Sequence, residues 1–200
     1  LPDALSADLE INDLDLGSSV GDSTLGPISA HLVAEGHALN SSERSGWIEV
    51  APSRLWYRGQ DLSGTHLLGR VERDSLHASI TTDASALAIS VQADGRWPVG
   101  SDTLSGDLAL RVDRLGLREM GWYAHPLNVQ GQWRGRATTS TDGFAAFEVE
   151  GDSVMLFNTE RSFRFDAFNA RGRLASDSTL FHLDTDALEV AESWDLLLIP

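Results

Sequence analysis

Six histidines and thirty acidic side chains are the residues of this chain that could bind a metal ion or transfer protons. The histidines do not follow the HxH, HxxxH or HExxH spacings that bring two imidazoles to one metal. They are His31, His37, His66, His77, His125 and His182. We interpret them as histidines of strand faces and loops, so we expect neither a metal site nor a cofactor.

Four aspartates could offer oxygen ligands to calcium, namely Asp13, Asp15, Asp184 and Asp186. An EF-hand loop needs a glycine at its sixth position and a glutamate at its twelfth, and these aspartates do not begin such a loop. We interpret Asp184 and Asp186 as solvated side chains at the end of a strand, because exposure is the usual state of a carboxylate.

The carboxylates are too numerous for any one pair to indicate general acid–base catalysis, which needs two groups at defined positions. The chain contains no cysteine, which excludes disulfides, a thiolate metal site and a thiol nucleophile. It also lacks a glycine-rich phosphate loop and an SxxK pair. We therefore predict that the protein is not an enzyme.

Six tryptophans raise the question of sugar binding, because aromatic rings stack on the flat faces of sugars. They are Trp47, Trp56, Trp97, Trp122, Trp133 and Trp194. They are dispersed along the chain, and several alternate in phase with apolar neighbours, so burial against a core is the simpler interpretation. Arg134 and Arg136 form a basic stripe that we assign to the outer face of a strand, paired with acidic neighbours rather than a phosphate.

The segment from Leu127 to Ala137 reads LNVQGQWRGRA and shows what kind of element carries these side chains. Its odd positions are apolar or glycine, and its even positions are polar. Successive side chains of a strand point to opposite faces, so the segment predicts a strand of about 36 Å with one apolar and one polar face. The same alternation recurs at residues 7–11, 76–80, 87–93, 108–112, 145–149, 163–165 and 181–183.

Clusters of Gly, Asp, Asn and Ser separate these runs and predict the turns of an antiparallel meander. Asp94-Gly95 and Asp142-Gly143 are typical hairpin pairs, and Gly151-Asp152 is a further turn signal. Residues 115–123 predict one short helical turn, which ends before Pro126 because the residue preceding a proline avoids the α region.

One local pattern breaks the alternation three times. It reads INDLDL at 11–16, VDRLGL at 112–117 and FDAFNA at 165–170. In each case the first two apolar positions are three residues apart, whereas strict alternation would place them two apart. A β-bulge or kink would return both positions to one face, so the pattern predicts such a distortion at each site.

Composition limits the partners. Fifteen basic and thirty acidic residues give a net charge of −15, which opposes binding to nucleic-acid phosphates and to anionic lipid headgroups. No run of about 18 apolar residues exists, so no transmembrane helix is expected.

The chain begins without Met and stops in the apolar run at 196–199. We interpret residues 1–200 as a single β-sheet segment of a longer protein.

Residues 104–117 read LSGDLALRVDRLGL, which resembles the L-S-G-x-L-x-L-x-V-x-x-L-x-L run of TamB and AsmA-like bacterial envelope proteins. The resemblance is best over residues 60–190 and is closest to TamB-type proteins of the Bacteroidetes kind. It is a pattern of strands rather than a catalytic signature. The segments that follow in the same order are PLNVQG at 126–131, DSVMLF at 152–157, FRFDAF at 163–168 and SDSTLFHLDTDALEV at 176–190.

The resemblance implies a long antiparallel sheet that curls into an open, taco-like groove with an apolar interior, as in eukaryotic bridge-like lipid transfer proteins. Members of the family are anchored in the inner membrane of Gram-negative bacteria and reach across the periplasm. They are implicated in phospholipid movement to the outer membrane and, with the barrel partner TamA, in outer-membrane protein assembly. The implied ligands are therefore phospholipid acyl chains, the implied partner is a TamA-like or other outer-membrane barrel, and the implied location is the periplasm. The membrane anchor would lie outside this segment.

We therefore expect an all-β fold with a long, curved, antiparallel sheet whose concave face is apolar and conducts lipid. The candidates for lining it are Leu108, Leu110, Val112, Leu127, Val129, Trp133, Phe147, Val149, Phe163, Phe165, Phe181 and Leu183. Two alternatives are open: a closed β-sandwich that binds a carbohydrate or peptide, and a structural spacer without a mobile ligand. The sandwich predicts apolar faces buried against each other.

Overall fold

The computed structural model describes residues 4–15, 17–18, 21, 24–38, 42–98, 100–140, 145–174, 178–185 and 189–195. These residues contain fourteen β-strands. In chain order the strands are β1 (Ala4–Asp15), β2 (Pro27–His37), β3 (Ser45–Arg54), β4 (Trp56–Tyr57), β5 (Gln60–Asp61), β6 (His66–Glu72), β7 (Ser75–Asp83), β8 (Leu87–Arg96), β9 (Thr103–Gly116), β10 (Asn128–Ser140), β11 (Ala145–Phe157), β12 (Ser162–Leu174), β13 (Ser178–Thr185) and β14 (Glu189–Asp195).

Twelve strands form one antiparallel sheet in the order β1-β2-β3-β6-β7-β8-β9-β10-β11-β12-β13-β14, and β4 and β5 form a separate small hairpin. Each strand of the large sheet pairs with its neighbours along the chain, apart from the hairpin inserted between β3 and β6. With ~4.8 Å between strands, the sheet extends about 53 Å across its strands. Its edges, β1 and β14, do not pair with each other in the described part of the chain, so the sheet is not closed into a barrel. The expected all-β, curved antiparallel sheet is confirmed.

The register of the sheet aligns apolar positions of neighbouring strands on one face. Directly opposed residues of an antiparallel pair share a face, so a line of partners can be followed from strand to strand. One line crosses ten strands, from β1 to β12, without a polar side chain. It consists of Leu9, Leu32, Val50, Leu67, Ile80, Val91, Leu110, Trp133, Gly151 and Phe168. We call the surface that contains this line the apolar face, and the opposite surface the polar face.

Bulges keep the first two irregular patterns on the apolar face, as the sequence predicts. Between β1 and β2 the pairing passes from Ile11–Ala30 to Leu14–Ile28, three residues against two. The extra residue is accommodated at Asp13, whose φ of 50° is left-handed.

The second pattern, in β9, is resolved in the same way. Val112 pairs with Gly131 and Leu115 pairs with Val129, again three residues against two. The pairing of β9 with β8 shifts at the same place, so both neighbours of β9 adapt to the bulge.

The third pattern differs in where the register shifts. The step from Phe165 to Phe168 in β12 is matched by an equal step from Val154 to Gly151 in β11, and the two strands keep one register. The shift appears one strand further, between β11 and β10, near Ser153, whose φ is 54°. Two adjacent strands therefore share one distortion.

The polar face carries a line of charged residues that we call the charge ladder. Its members, from β7 to β12, are His77, Asp94, Asp107, Arg136, Glu148 and Arg171. Asp94 and Asp107 oppose each other, but His77 Nδ1 lies 2.7 Å from Asp94 Oδ1 and Arg136 Nε donates to Asp107 Oδ1 at 2.9 Å. An imidazole on one side and a guanidinium on the other thus contact the two opposed carboxylates. The prediction that Arg134 and Arg136 lie on the outer face, opposite acidic residues, is confirmed, with Glu150 opposite Arg134.

Two turn predictions are wrong. Asp94-Gly95 lies within β8, where His77 holds Asp94 on the polar face and Gly95 pairs with Leu76 and Gly106 on the apolar face. Gly151-Asp152 likewise lies within β11. Both dipeptides pair with residues of neighbouring strands, and a local turn pattern carries no information about those distant partners. Asp142-Gly143 falls outside the described residues.

The predicted helical turn is a hydrogen-bonded turn that begins later than expected, because β9 continues to Gly116. Within it, the backbone N–H of Met120 donates to the Gly116 carbonyl at 2.9 Å. In the part of the chain that the structure describes, no helix has the length and apolar character needed to cross a bilayer.

Reversing the charge of Arg136 tests the charge ladder. Arg136→Glu removes the ion pair with Asp107 and places a carboxylate opposite Glu148. We expect the free energy of unfolding to fall by about 1 kcal/mol, the usual size of an exposed cross-strand charge effect. Chemical denaturation at low salt measures the loss. The loss should shrink in 1 M NaCl, since salt screens exposed charges; an equal loss at both salt concentrations would contradict an electrostatic origin.

Candidate functional site

Eleven of the twelve predicted lining residues lie in strands, and the register places them all on the apolar face. Leu127 is the exception. It precedes β10, and its carbonyl accepts a hydrogen bond of 2.8 Å from the backbone N–H of Leu117. The strand predicted to begin at Leu127 thus begins one residue later, and Leu127 belongs to the connection between β9 and β10.

The apolar face is largely uncovered. Four of its side chains, in β1, β9, β11 and β12, show this: Leu9 is 51% exposed, Leu108 40%, Phe147 41% and Phe163 60%. Leu108 lies in the middle of the sheet, where a second packed sheet would remove it from water. The alternative of a closed β-sandwich is therefore wrong, since the strands form one large sheet whose apolar face stays open.

A small core forms where two long connections fold onto the apolar face. We call these connections, residues 55–65 (which include β4 and β5) and 117–127, the cap. Met120 is 2% exposed and Leu62 9%, and beneath the cap Val112 and Thr82 on the apolar face fall to 5% and 6%. Thr65 Oγ1 and Thr82 Oγ1 are 2.7 Å apart, which ties the cap to β7.

The two halves of the cap bind each other. Arg58 on the hairpin donates through its guanidinium to the Gly121 carbonyl. Trp122 Nε1 donates to the Tyr57 hydroxyl at 3.2 Å. The cap therefore closes over the strand ends at which β9 ends and β10 begins, and it leaves the remaining width of the apolar face open.

Large rings on this face lie over glycines of the same strand or of the neighbouring strand. A Cβ added to Gly151 would lie 3.0 Å from Trp133 Nε1, and one added to Gly131 would lie 2.9 Å from Trp133 Cη2. A Cβ at Gly172 would overlap the Phe147 ring. Aromatic rings that cover strand glycines shield exposed backbone and smooth the surface. The result is a face formed mainly by aliphatic and aromatic side chains and by glycines that the rings cover.

The tryptophans depart from the expected burial. Trp56, Trp97 and Trp122 are 39%, 47% and 54% exposed, and all three lie outside the large sheet. Trp47 lies on the polar face, where its Nε1 donates to Glu35 Oε2 at 3.3 Å. The expectation that the tryptophans are buried against a core is wrong for these four residues. Three of them lie outside the large sheet, and Trp47 lies on its polar face. Trp133 does lie on the apolar face. The structure does not describe the side chain of Trp194.

Charged groups of the polar face form local pairs. His31 and His66 lie 2.7 Å from Asp8 and Glu49, in the same manner as His77 and Asp94. Among the described residues, no three His, Asp or Glu side chains come together in a way that could hold a metal ion. Asp184 is exposed near the end of β13, as predicted, and Asp186 lies outside the described residues.

Two exposed carboxylates have a perturbed proton affinity. Hydrogen bonds from the side chain and backbone of Ser18 lower the pKa of Asp15, and those of Ser63 lower the pKa of Asp61 in the same way. Both carboxylates accept these bonds within tight turns. Their perturbation therefore reflects turn stabilisation rather than a group prepared for catalysis.

A short match to a hydrolase pattern is present near β1. Residues 17–21 read GSSVG, which fits GxSxG. In serine hydrolases that serine stands on a sharp turn between a strand and a helix of an α/β fold. Here the segment follows an edge strand of an all-β sheet, and Ser19 lies outside the described residues, so we assign it no role.

No family model, curated protein or solved structure matches this chain.

Filling a glycine of the apolar face tests its packing. Gly151→Ala brings a methyl group against Trp133 and Val154. We expect the free energy of unfolding to fall by about 1–3 kcal/mol, as overpacking usually does, and the fluorescence of Trp133 to shift. Gly64→Ala is the control, because a Cβ there meets its nearest neighbour at 3.7 Å. Equal stability of the two variants would show that Trp133 does not lie over Gly151.

Proposed function

We propose that this chain is a segment of a periplasmic, lipid-conducting β-groove that supports phospholipid transport to the outer membrane and its biogenesis. The observation that carries the proposal is the uncovered apolar face, continuous from strand to strand. A soluble protein rarely leaves so extended an apolar surface open unless it binds something there. The sequence resemblance to TamB and AsmA-like proteins supports the same function.

The dimensions of the face suit lipid tails. Bilayer hydrocarbon is about 30 Å thick, so one tail spans about 15 Å, whereas twelve strands at ~4.8 Å extend about 53 Å. Several tails therefore fit in succession along the groove. A sixteen-carbon chain half covered by protein would gain roughly 6 kcal/mol, at about 0.8 kcal/mol for each fully buried methylene.

The uniformity of the face suits movement. A second line of partners runs beside the first from β1 to β13 and is also without polar side chains. It consists of Ala7, Ala34, Ile48, Gly69, Ala78, Ala93, Leu108, Gly135, Val149, Ala170 and Leu183. A tail that advances by one strand exchanges one aliphatic contact for another. Because no specific contact is lost at any step, the barrier to sliding is low.

The net charge of the protein affects which part of a phospholipid it binds. A net charge of −15 repels anionic headgroups from the protein. The acyl tails therefore carry the attraction, and the headgroups remain in water at the mouth of the groove. The same charge keeps copies with exposed apolar faces apart.

The remaining parts of the proposal follow the resemblance. The longer protein would be anchored in the inner membrane outside this segment and would meet a TamA-like or other barrel partner at the outer membrane. The direction of transport would be determined by the ends of the protein, since the two lines of partners are apolar along their whole length.

A matched pair of substitutions in β9 tests the proposal. Leu108 and Ala109 are adjacent and exposed, but they lie on opposite faces of the sheet. We expect Leu108→Asp to reduce co-purifying phospholipid and vesicle-to-vesicle transfer, because a carboxylate against tails costs about 2 kcal/mol, or about thirtyfold in affinity. Ala109→Asp should leave both unchanged. Lipid extraction with mass spectrometry and a fluorescent transfer assay measure the two quantities.

The same experiment distinguishes the lipid-conducting groove from a structural spacer without a mobile ligand. A spacer predicts no bound phospholipid in the purified chain and equal behaviour of the two variants. Either result would overturn the lipid-conducting groove.

A further inference from the structure

The cap carries exposed aromatic side chains that lie outside the two lines of partners on the apolar face. Trp122 and Tyr123 are 54% and 51% exposed in the connection 117–127. Together with Tyr57 and His125 they form what we call the aromatic platform. Large rings left in water forgo burial, so a cluster of them indicates a surface that binds a ligand.

The rings of the platform form two separate pairs. Trp122 Nε1 donates to the Tyr57 hydroxyl at 3.2 Å, which joins the two connections of the cap. The rings of Tyr123 and His125 are 5.7 Å apart and meet edge to face at 69°. These contacts fix the orientation of the rings before any ligand arrives, which lowers the entropic cost of binding.

The backbone beneath the platform is also fixed. The N–H groups of Trp122 and Tyr123 both donate to the Leu117 carbonyl, at 2.8 and 3.1 Å. Met120, two residues before Trp122, is 2% exposed and anchors the connection in the small core. The platform is therefore a built surface rather than a loose loop.

Charge narrows the class of ligand. On the two connections of the cap, Arg58 and Arg118 are balanced by Asp61 and Glu119, and the whole chain carries −15. Such a surface does not attract phosphates of nucleic acids or of anionic membranes. A neutral ligand with flat apolar faces and many hydroxyl groups fits it better.

We propose that the aromatic platform binds a glycan chain of neutral or N-acetylated hexopyranose units. The C–H faces of successive sugar rings stack on Trp122 and Tyr123, and the polar side chains of the same connections bond to the sugar hydroxyls. The site lies on the cap, outside the lines of partners that form the groove. Its existence is independent of the proposed lipid function.

Binding of cellohexaose and of hexa-N-acetylchitohexaose, followed by tryptophan fluorescence and calorimetry, tests the proposal. We expect at least one sugar to bind saturably and Trp122→Ala or Tyr123→Ala to weaken it by about tenfold or more, the loss of one stacking contact. Trp97→Ala is the matched control, because Trp97 is 47% exposed but follows β8 at the opposite strand ends. Circular dichroism shows that each variant is folded.

Three results would overturn the assignment. The first is the absence of binding to both sugars at millimolar concentration. The second is sugar binding that Trp122→Ala leaves unchanged. The third is a Trp122-dependent interaction with a polyproline peptide, or with vesicles of phosphatidylcholine and phosphatidylglycerol, in place of sugar.

Discussion

The cross-strand register is the constraint on which the rest of this structure depends. Because side chains alternate along a strand, a slip of one residue in a single pair would turn that strand's aliphatic residues to the polar face and interrupt the apolar surface. Charged partners such as Arg136 and Asp107 favour the correct pairing from the polar side. Bulges restore it where a strand contains an extra residue, as at Asp13 in β1.

A sheet held in this way has an unusual distribution of burial. Aliphatic side chains line up across the sheet, yet Leu9 and Phe163 at its two sides remain more than half exposed. In the described part of the chain the strands are joined by ladders of backbone hydrogen bonds and by contacts with adjacent strands, and a small core lies under the cap around Met120. The surface that most proteins bury here stays exposed, and the net negative charge opposes its association with other copies of the chain.

The sequence predicted the two-faced strands, the placement of eleven candidate residues on the apolar face and the irregular steps in β1 and β9, because alternation and its interruptions are local properties of the chain. It mislocated features that depend on residues distant in sequence. Gly95 reads as a turn residue until its partners Leu76 and Gly106 are known. The exposed Trp122 reads as a core residue until its contact with Tyr57, from a connection 65 residues away, is known.

By itself the sequence determined that the chain forms strands with one apolar and one polar face, since the period of two is written in the order of its residues. Only the tertiary structure decided that these strands join in a single sheet, that the apolar face stays open and that the cap covers one margin of it. An apolar face gains the same free energy against a second sheet as against lipid tails. Whether a second sheet covers it depends on strand order and long connections, which alternation does not encode.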